Sequence, residues 1–166
     1  MTLTSGLGGQ LSIDLGALAR NWRALDKVSA GALTAAVVKA DAYGTGIEMA
    51  SKALHAAGAR FFFVATPDEG IAVRAALPDA HIFILYGLYP GAANLYIRQN
   101  LMPVLSSMTM LEEWLAKCVE RNEAYPAAFH FDTGINRLGF RLNEAVQVRE
   151  RTEPLGFAPQ MIMSHL

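Results

Sequence analysis

Six short apolar runs recur along the chain, and stretches with helical periodicity separate them. The runs cover residues 35–40, 60–66, 81–87, 101–106, 127–132 and 159–165. Strands that are apolar throughout, in alternation with helices, are typical of a parallel sheet that is covered on both faces. Two α/β architectures fit this pattern, a doubly wound open sheet and a (β/α)8 TIM barrel.

The stretches between the runs predict five helices and one further strand. Helices are expected over residues 15–28, 46–58, 67–77, 106–122 and 143–152, where apolar residues follow helical spacing. Residues 10–14 form a possible edge strand. No GxGxxG motif follows a strand, which argues against a dinucleotide-binding fold and leaves the barrel as the favoured architecture.

The last residues, MIMSHL, lie at or just beyond the sixth apolar run, and no helix follows them. An uncovered strand at this place would be prone to aggregation. We therefore expect residues 1–166 to be the N-terminal part of a TIM-barrel domain. Only about the first six β/α units of a longer, truncated (β/α)8 barrel would then be present.

Composition excludes several classes of function. The 166 residues are 52% hydrophobic and 17% charged, with a net charge of −1 and no basic run. Binding to nucleic acid or to an anionic membrane surface is therefore not expected. The single cysteine, Cys118, excludes an internal disulfide framework. Without a signal peptide, or an apolar run near the ~20 residues that span a bilayer, a cytoplasmic location is expected.

Residues at the carboxyl ends of the predicted strands are the candidates for a functional site, because active sites of parallel α/β folds lie there. They are Lys39 and Tyr43, Thr66, Leu85 and Tyr86, Ser106 and Ser107, Asp132 and Arg137, and Ser164 and His165. Burial lowers the pKa of a lysine, and a neutral Lys39 amine could attack a carbonyl carbon. The alternative is that Lys39 extends from the strand end to solvent.

Two loops leave alternatives open. Residues 43–46, YGTG, either bind an anion such as phosphate at a helix N-terminus or form an ordinary turn. Arg137 either makes bidentate contact with a carboxylate or phosphate, or pairs with Asp132 and ties its own loop. His165, in an apolar segment, is more often a core residue than a functional one. No cluster has metal-ligand spacing, and no Gly-x-Ser-x-Gly motif is present.

Three segments closely resemble motifs of the bacterial alanine racemases. AVVKADAYGTG (36–46) resembles the segment that attaches pyridoxal phosphate, DTGINRLGF (132–140) resembles a second motif, and MSHL (163–166) matches a third. The order and separations of the motifs are compatible with that family. Residues 12–25 and 61–77 also look like its first helix and second β/α unit.

The resemblance implies a role for each of five residues. Lys39 would hold pyridoxal 5'-phosphate as an internal aldimine and would then act as the base on the D-alanine side. Tyr43 would contact the cofactor phosphate, and Arg137 would lie near the cofactor hydroxyl and the substrate carboxylate. His165 would lie beside the pyridine ring, with Leu85 packed near it.

The same resemblance implies how a complete enzyme would work. It would interconvert L-alanine and D-alanine by two-base proton transfer and supply D-alanine for peptidoglycan. A mostly β domain would follow the barrel, and the enzyme would be a homodimer. The second base, a tyrosine from the β domain of the partner subunit, is not in this sequence, so the 166 residues alone are expected to be inactive.

Three positions depart from the family pattern. Asp41 replaces the common Asn, and Thr45 replaces the common His. His130 stands where many members have a lysine that can be carbamylated and that steadies the arginine seven residues on. Histidine cannot carry that carbamate in the same way, so another group, such as a bound anion, would have to orient Arg137.

Other functions are also compatible with such a barrel. It could be a broad-specificity amino-acid racemase or a pyridoxal-phosphate-dependent decarboxylase. It could also be a protein that binds pyridoxal phosphate without turnover. The KADAYG segment favours a racemase.

Overall fold

The apolar runs form a single parallel sheet. The computed structural model describes residue 9, residues 11–29 and residues 31–165. Each strand pairs in parallel with the next one along the chain. The strands are β1 (Ala36–Val37), β2 (Phe61–Val64), β3 (His81–Ile84), β4 (Met102–Leu105), β5 (Ala128–His130) and β6 (Met161–Met163). All six predicted runs contain a strand, although each strand is shorter than its run.

Helices connect the strands and cover the outside of the sheet. They are α1 (Leu15–Val28), α2 (Lys39–Gly44), α3 (Ile47–Ala57), α4 (Pro67–Ala76), α5 (Ala93–Arg98), α6 (Met108–Arg121) and α7 (Ala145–Thr152). Two 3-10 turns, Leu142–Glu144 and Glu153–Leu155, flank α7. The five predicted helices are confirmed, whereas α2 and α5 were not predicted.

Three of the predicted helices begin directly after a residue whose side chain caps them. The side chains of Asp14, Thr66 and Ser107 each accept a hydrogen bond from the backbone N–H of the third residue of their helix. The edge strand predicted at residues 10–14 is wrong over residues 11–14, which contain no strand; Gln10 lies outside the described residues. Asp14 caps α1 instead, because its short carboxylate satisfies a free N–H group of that helix.

Alternation along the strands divides the buried side chains between two faces. Phe62, Ile82 and Ile84 have no exposed surface and pack between the sheet and the helices. A smaller inner cluster contains Phe63, Phe83, Met102, Val104 and Ala128. The sheet is therefore covered on its outer face by helices and carries apolar side chains on its inner face, as expected for part of a barrel.

Candidate active site

One cleft gathers the five side chains to which the family resemblance gives a role. Lys39, Tyr43, Leu85, Arg137 and His165 line a space of about 490 Å³. These residues follow β1, β3, β5 and β6, so the cleft lies at the carboxyl ends of the strands. The structure therefore brings the predicted site residues together at the edge of the sheet where parallel α/β proteins carry their sites.

The sheet must curl to form this cleft. Lys39 follows β1 and His165 follows β6, at opposite ends of the strand order. Five strand spacings of ~4.8 Å would separate the two ends by ~24 Å in a flat sheet. Because both side chains line the same cleft, the six strands form a curved part of a barrel and not an open, flat sheet.

Lys39 begins α2, which is a left-handed turn. The next four residues, Ala40 to Tyr43, have φ angles of 52°, 52°, 53° and 56°. This conformation costs roughly 1–2 kcal/mol for each residue with a Cβ atom. Within the turn, the N–H group of Ala42 donates to the carbonyl oxygen of Val38 at 2.9 Å. The turn leaves Lys39 half-buried on the wall of the cleft.

The glycine-containing turn at residues 43–46 leads directly into α3. The Asp41 carboxylate accepts a hydrogen bond from the N–H group of Ile47, the first residue of α3, at 2.7 Å. It thereby satisfies a free donor at the helix start and complements the positive end of the helix dipole. The chain itself occupies this N–H group, so this one donor at the start of α3 is not free for an anion. Tyr43 is 65% exposed on the cleft.

Hydrogen bonds between the Asp132 side chain and the backbone hold the loop that carries Arg137. The Asp132 carboxylate accepts hydrogen bonds from the N–H groups of Gly134 and Asn136, both at 3.0 Å, and these bonds lower the pKa of Asp132. Within the described part of the chain, Asp132 forms no ion pair with Arg137. Arg137 is exposed on the cleft, so its guanidinium group is available to an anionic ligand.

His130 is the least exposed polar side chain of the cleft. It is 6% exposed, and its Nε2 atom has no hydrogen-bond partner among the described residues. Burial lowers the pKa of His130 below the ordinary 6.5, as do His165 and Arg137, whereas Asp132 opposes the shift. The imidazole is therefore neutral near pH 7 and offers one unused hydrogen-bonding atom. Orientation of Arg137 by a bound anion stays a prediction.

Sequence reasoning missed part of the cleft wall. Apolar Ala35, Val37, Phe63 and Met163 also line it. A signal was present, because side chains two residues apart in a strand share one face. Val37 precedes Lys39 by two residues, and Met163 precedes His165 by two. The expectation that His165 is more often a core residue is wrong here, since it is exposed.

Other residues at the strand ends have local roles. Thr66 and Ser107 cap α4 and α6. The hydroxyl groups of Thr133 and Ser164 form a hydrogen bond that connects the segments after β5 and β6. Over the residues that the structure describes, no group of His, Cys, Asp or Glu side chains is placed to hold a metal ion. In the same part of the chain, none of the helices has the length and apolar character needed to cross a membrane.

The sequence matches one protein family over almost its whole length. The family model described as "Alanine racemase, N-terminal domain" covers residues 13–166. The alanine racemase of Methylobacterium sp. (strain 4-46) is 51% identical over 100% of the chain, which covers 46% of that relative. The biosynthetic alanine racemase of Agrobacterium fabrum is 48% identical over 95% of the chain, which covers 40% of that relative.

Solved structures agree with this match. Alanine racemase from Bartonella henselae, solved with covalently bound pyridoxal phosphate, superposes with a TM-score of 0.88 at 34% identity, over 93% of this chain and 45% of that one. Alanine racemase from Streptomyces coelicolor A3(2) gives 0.83 at 33% identity, over 93% and 43%. The chain spans less than half the length of each of these relatives. It belongs to the alanine racemase family and matches the N-terminal part of its relatives.

Proposed function

We propose that this chain is the part of an alanine racemase that binds pyridoxal 5'-phosphate and supplies one of two bases. On this proposal, residues 1–166 form the N-terminal part of the cofactor-binding barrel domain. The observation that carries the proposal is the single cleft lined by Lys39, Tyr43, Arg137 and His165 of the three motifs, with Leu85 beside them. The covalently bound pyridoxal phosphate of the Bartonella henselae relative adds support.

The residues of the cleft fit such a cofactor. Its volume of about 490 Å³ lies within the ~300–1,000 Å³ typical of small-molecule sites. Lys39 offers an amine for the carbonyl carbon, and Tyr43 and Arg137 offer donors for the phosphate and hydroxyl oxygens. Phe63 and Leu85 offer apolar surface for a flat ring. Buried His130 also lines the cleft, and its Nε2 atom, which has no partner among the described residues, is available for a hydrogen bond to a ligand.

Each side chain has a distinct task in the proposed reaction. When bound, pyridoxal phosphate withdraws electrons from the α-carbon of an amino acid and makes its proton removable. The Lys39 amine holds the cofactor and then takes or returns the α-proton on the D-alanine side. Arg137 binds the substrate carboxylate through its planar pair of N–H donors. Tyr43 binds the phosphate, and His165 and Leu85 orient the ring.

Racemisation also needs a base on the opposite face of the α-carbon. We assign that task to a tyrosine outside this sequence, contributed by the partner subunit of a homodimer. The open cleft, with exposed Tyr43 and Arg137, has room for such a group. The proposed enzyme acts in the cytoplasm and supplies D-alanine for peptidoglycan. Sedimentation velocity of the complete protein tests the dimer, and a monomer under assay conditions contradicts it.

Borohydride trapping tests the cofactor site. The complete protein is incubated with pyridoxal phosphate, reduced with borohydride and mapped by peptide mass spectrometry. Label is expected at Lys39, because its amine lies on the cleft. The variant K39A should lose the label, whereas K52A should keep it, since Lys52 is exposed and paired with Glu48 on α3. Label at another residue, or no label, contradicts the proposal.

Turnover measurements on the complete protein test the substrate. Racemisation of alanine is expected to exceed that of lysine, arginine and serine. Comparable rates for all four would identify a broad-specificity racemase, and release of carbon dioxide would identify a decarboxylase. Cofactor binding without turnover would identify a non-catalytic binding protein. A polypeptide of these 166 residues alone is expected to show no racemisation.

A further inference from the structure

The carboxylate of Glu69 contacts two separate loops at the edge of the cleft. Its Oε1 atom accepts a hydrogen bond from the N–H group of Ala40 at 2.7 Å. Its Oε2 atom accepts from the N–H groups of Ala65 at 2.7 Å and Thr66 at 3.2 Å. Glu69 is half-buried in the first turn of α4. One side chain therefore connects the segment after β1 to the segment after β2.

Helix capping explains only one of these three hydrogen bonds. A glutamate at the third position of a helix normally accepts from the N–H group of the N-cap residue, here Thr66. The bond to Ala40, which lies 29 residues earlier in the chain, has no place in a capping box. The Oε1 atom therefore binds a segment outside α4.

The bond to Ala40 acts directly on Lys39. The first N–H groups of a helical turn have no partner within that turn, and Glu69 provides one at the start of the left-handed α2. A peptide unit is planar and includes the Cα atoms of both residues. Fixing the direction of the Ala40 N–H group therefore fixes the plane that contains the Cα atom of Lys39. The peptide unit on the other side of Lys39 is held too, because the carbonyl oxygen of Val38 accepts from the N–H group of Ala42 at 2.9 Å. With both flanking planes held, the direction in which the Lys39 side chain leaves the backbone is set.

The geometry points to Glu69 as a positioning residue that orients Lys39 toward the cofactor. This inference rests on the proposed function, because the orientation matters only if Lys39 reacts with pyridoxal phosphate. A carboxylate suits the task, since bonds to a charged acceptor are stronger than bonds to a neutral one. Its two oxygens also hold the ends of β1 and β2 in one register, which keeps the lysine at the cleft.

The variant E69Q tests the inference in the complete protein. Glutamine has one acceptor oxygen and an NH2 group, so it cannot accept on both sides. We expect the rate of Lys39 labelling by pyridoxal phosphate and borohydride to fall by ~10-fold or more, and hydrogen exchange at Ala40 to accelerate by a similar factor. E69D is the second variant, because it keeps the charge but is one methylene too short to reach both loops.

Two controls separate positioning from helix capping. T66A removes the other half of the capping box, and D68N removes a charge from the same turn; neither touches the Ala40 bond. Both should keep the wild-type labelling rate and the wild-type exchange at Ala40. Each variant is compared at equal folded fraction, measured by circular dichroism and thermal unfolding.

The outcomes are distinct. Suppose that the unchanged protein is labelled at Lys39 and that E69Q and E69D are labelled at the same rate. That result contradicts the positioning role of Glu69 and leaves the proposed function intact. Loss of labelling in T66A equal to that in E69Q also contradicts it, because capping would then explain the effect. Wild-type protein that is not labelled at Lys39 overturns the proposed function and this inference with it. Loss confined to the Glu69 variants supports the positioning role.

Discussion

Phe62 and Phe63 are consecutive residues of β2, yet they lie in very different environments. Phe62 has no exposed surface and is packed among the helices that cover the outer face. Phe63 is 9% exposed, stacks on Phe83 with ring centroids 4.9 Å apart and borders the cleft. The outer face is completed by the helices of the chain. The inner face borders a cleft in which the polar side chains of Tyr43, Arg137 and His165 are exposed.

The same contrast appears in the connections at the ends of the strands. On the outer layer, α1, α4 and α6 start at ordinary capping residues, and local preference agrees with the fold. At the cleft, the four consecutive residues Ala40 to Tyr43 of α2, all with Cβ atoms, are left-handed. Departures from local preference concentrate at functional sites in natural proteins. The contrast therefore separates residues that hold the fold from residues that we expect to perform chemistry.

The largest expected effect is on catalysis, at Lys39. K39A in the complete protein should lower alanine racemisation by roughly 10³-fold, because one proton-transfer group is lost. The midpoint of thermal unfolding of the cofactor-free protein should stay unchanged, since Lys39 forms no part of the buried core. Kinetic assay and calorimetry measure the two effects. A large loss of stability in cofactor-free K39A would contradict the division between residues that hold the fold and residues that perform chemistry.

The next effect is on stability, at the two phenylalanines of β2. F62A should lower the free energy of unfolding by about 3–5 kcal/mol, as for other buried aromatic residues. The affinity of its folded fraction for pyridoxal phosphate should not change. F63A should lose less stability and should bind the cofactor more weakly, because its side chain borders the cleft. Chemical denaturation and cofactor titration distinguish the two; the reverse order of effects would contradict the division of faces.

Two glycines with positive φ angles differ in the space around them, and only one of them lies in the loop of Arg137. Gly139 has a φ of +126°, and an added Cβ would lie 2.5 Å from the backbone nitrogen of Asp132. G139A should therefore destabilise the protein by about 2 kcal/mol or more and weaken substrate binding by Arg137. Gly91 has a φ of +73° but open space around it, so G91A should cost only about 1 kcal/mol. Equal denaturation curves for the two variants would argue against the backbone clash.

The smallest expected effect is a pH dependence from His130. Its folded-state pKa lies below the ordinary 6.5, because the imidazole is buried beside His165 and Arg137. The unfolded chain therefore binds a proton more readily, so the contribution of His130 to stability is present above pH ~6.5 and is lost as the pH falls below it. H130Q should flatten this part of the stability profile, whereas H81Q, at an exposed residue, should not. An unchanged profile in H130Q would contradict the assignment.

Much of the outer layer could be predicted from sequence, because its signals are local. Helical spacing of apolar residues predicted α1 at its observed bounds, and the short apolar runs located all six strands. The six-residue α5 was missed because it is too short to show a periodic pattern. The strand prediction at residues 10–14 rested on an alternation of apolar and polar residues. It is wrong over residues 11–14, because Asp14 caps α1 instead.

The site was predictable in its residues but not in its geometry. The motifs named Lys39 and Arg137, and the parallel topology explained why they meet. The left-handed turn was not predictable, because Ala40 to Tyr43 carry Cβ atoms that disfavour it. The contact from Glu69 to Ala40 joins residues 29 positions apart, and no local sequence pattern predicts such a bond. The apolar wall was predictable in part, because Val37 and Met163 each lie two residues before a predicted site residue and share its face of the strand.

The consecutive order of the strands also determines when the cleft can exist during synthesis. Chains emerge from the ribosome N-terminus first, and neighbouring segments can pair as they appear. The segments through β2 include Lys39 and its left-handed turn, whereas Arg137 and His165 arrive only with the last two strands. A nascent chain therefore carries its lysine long before it has a cleft. Any ligand that needs all of these segments is taken up only after β6 has been made.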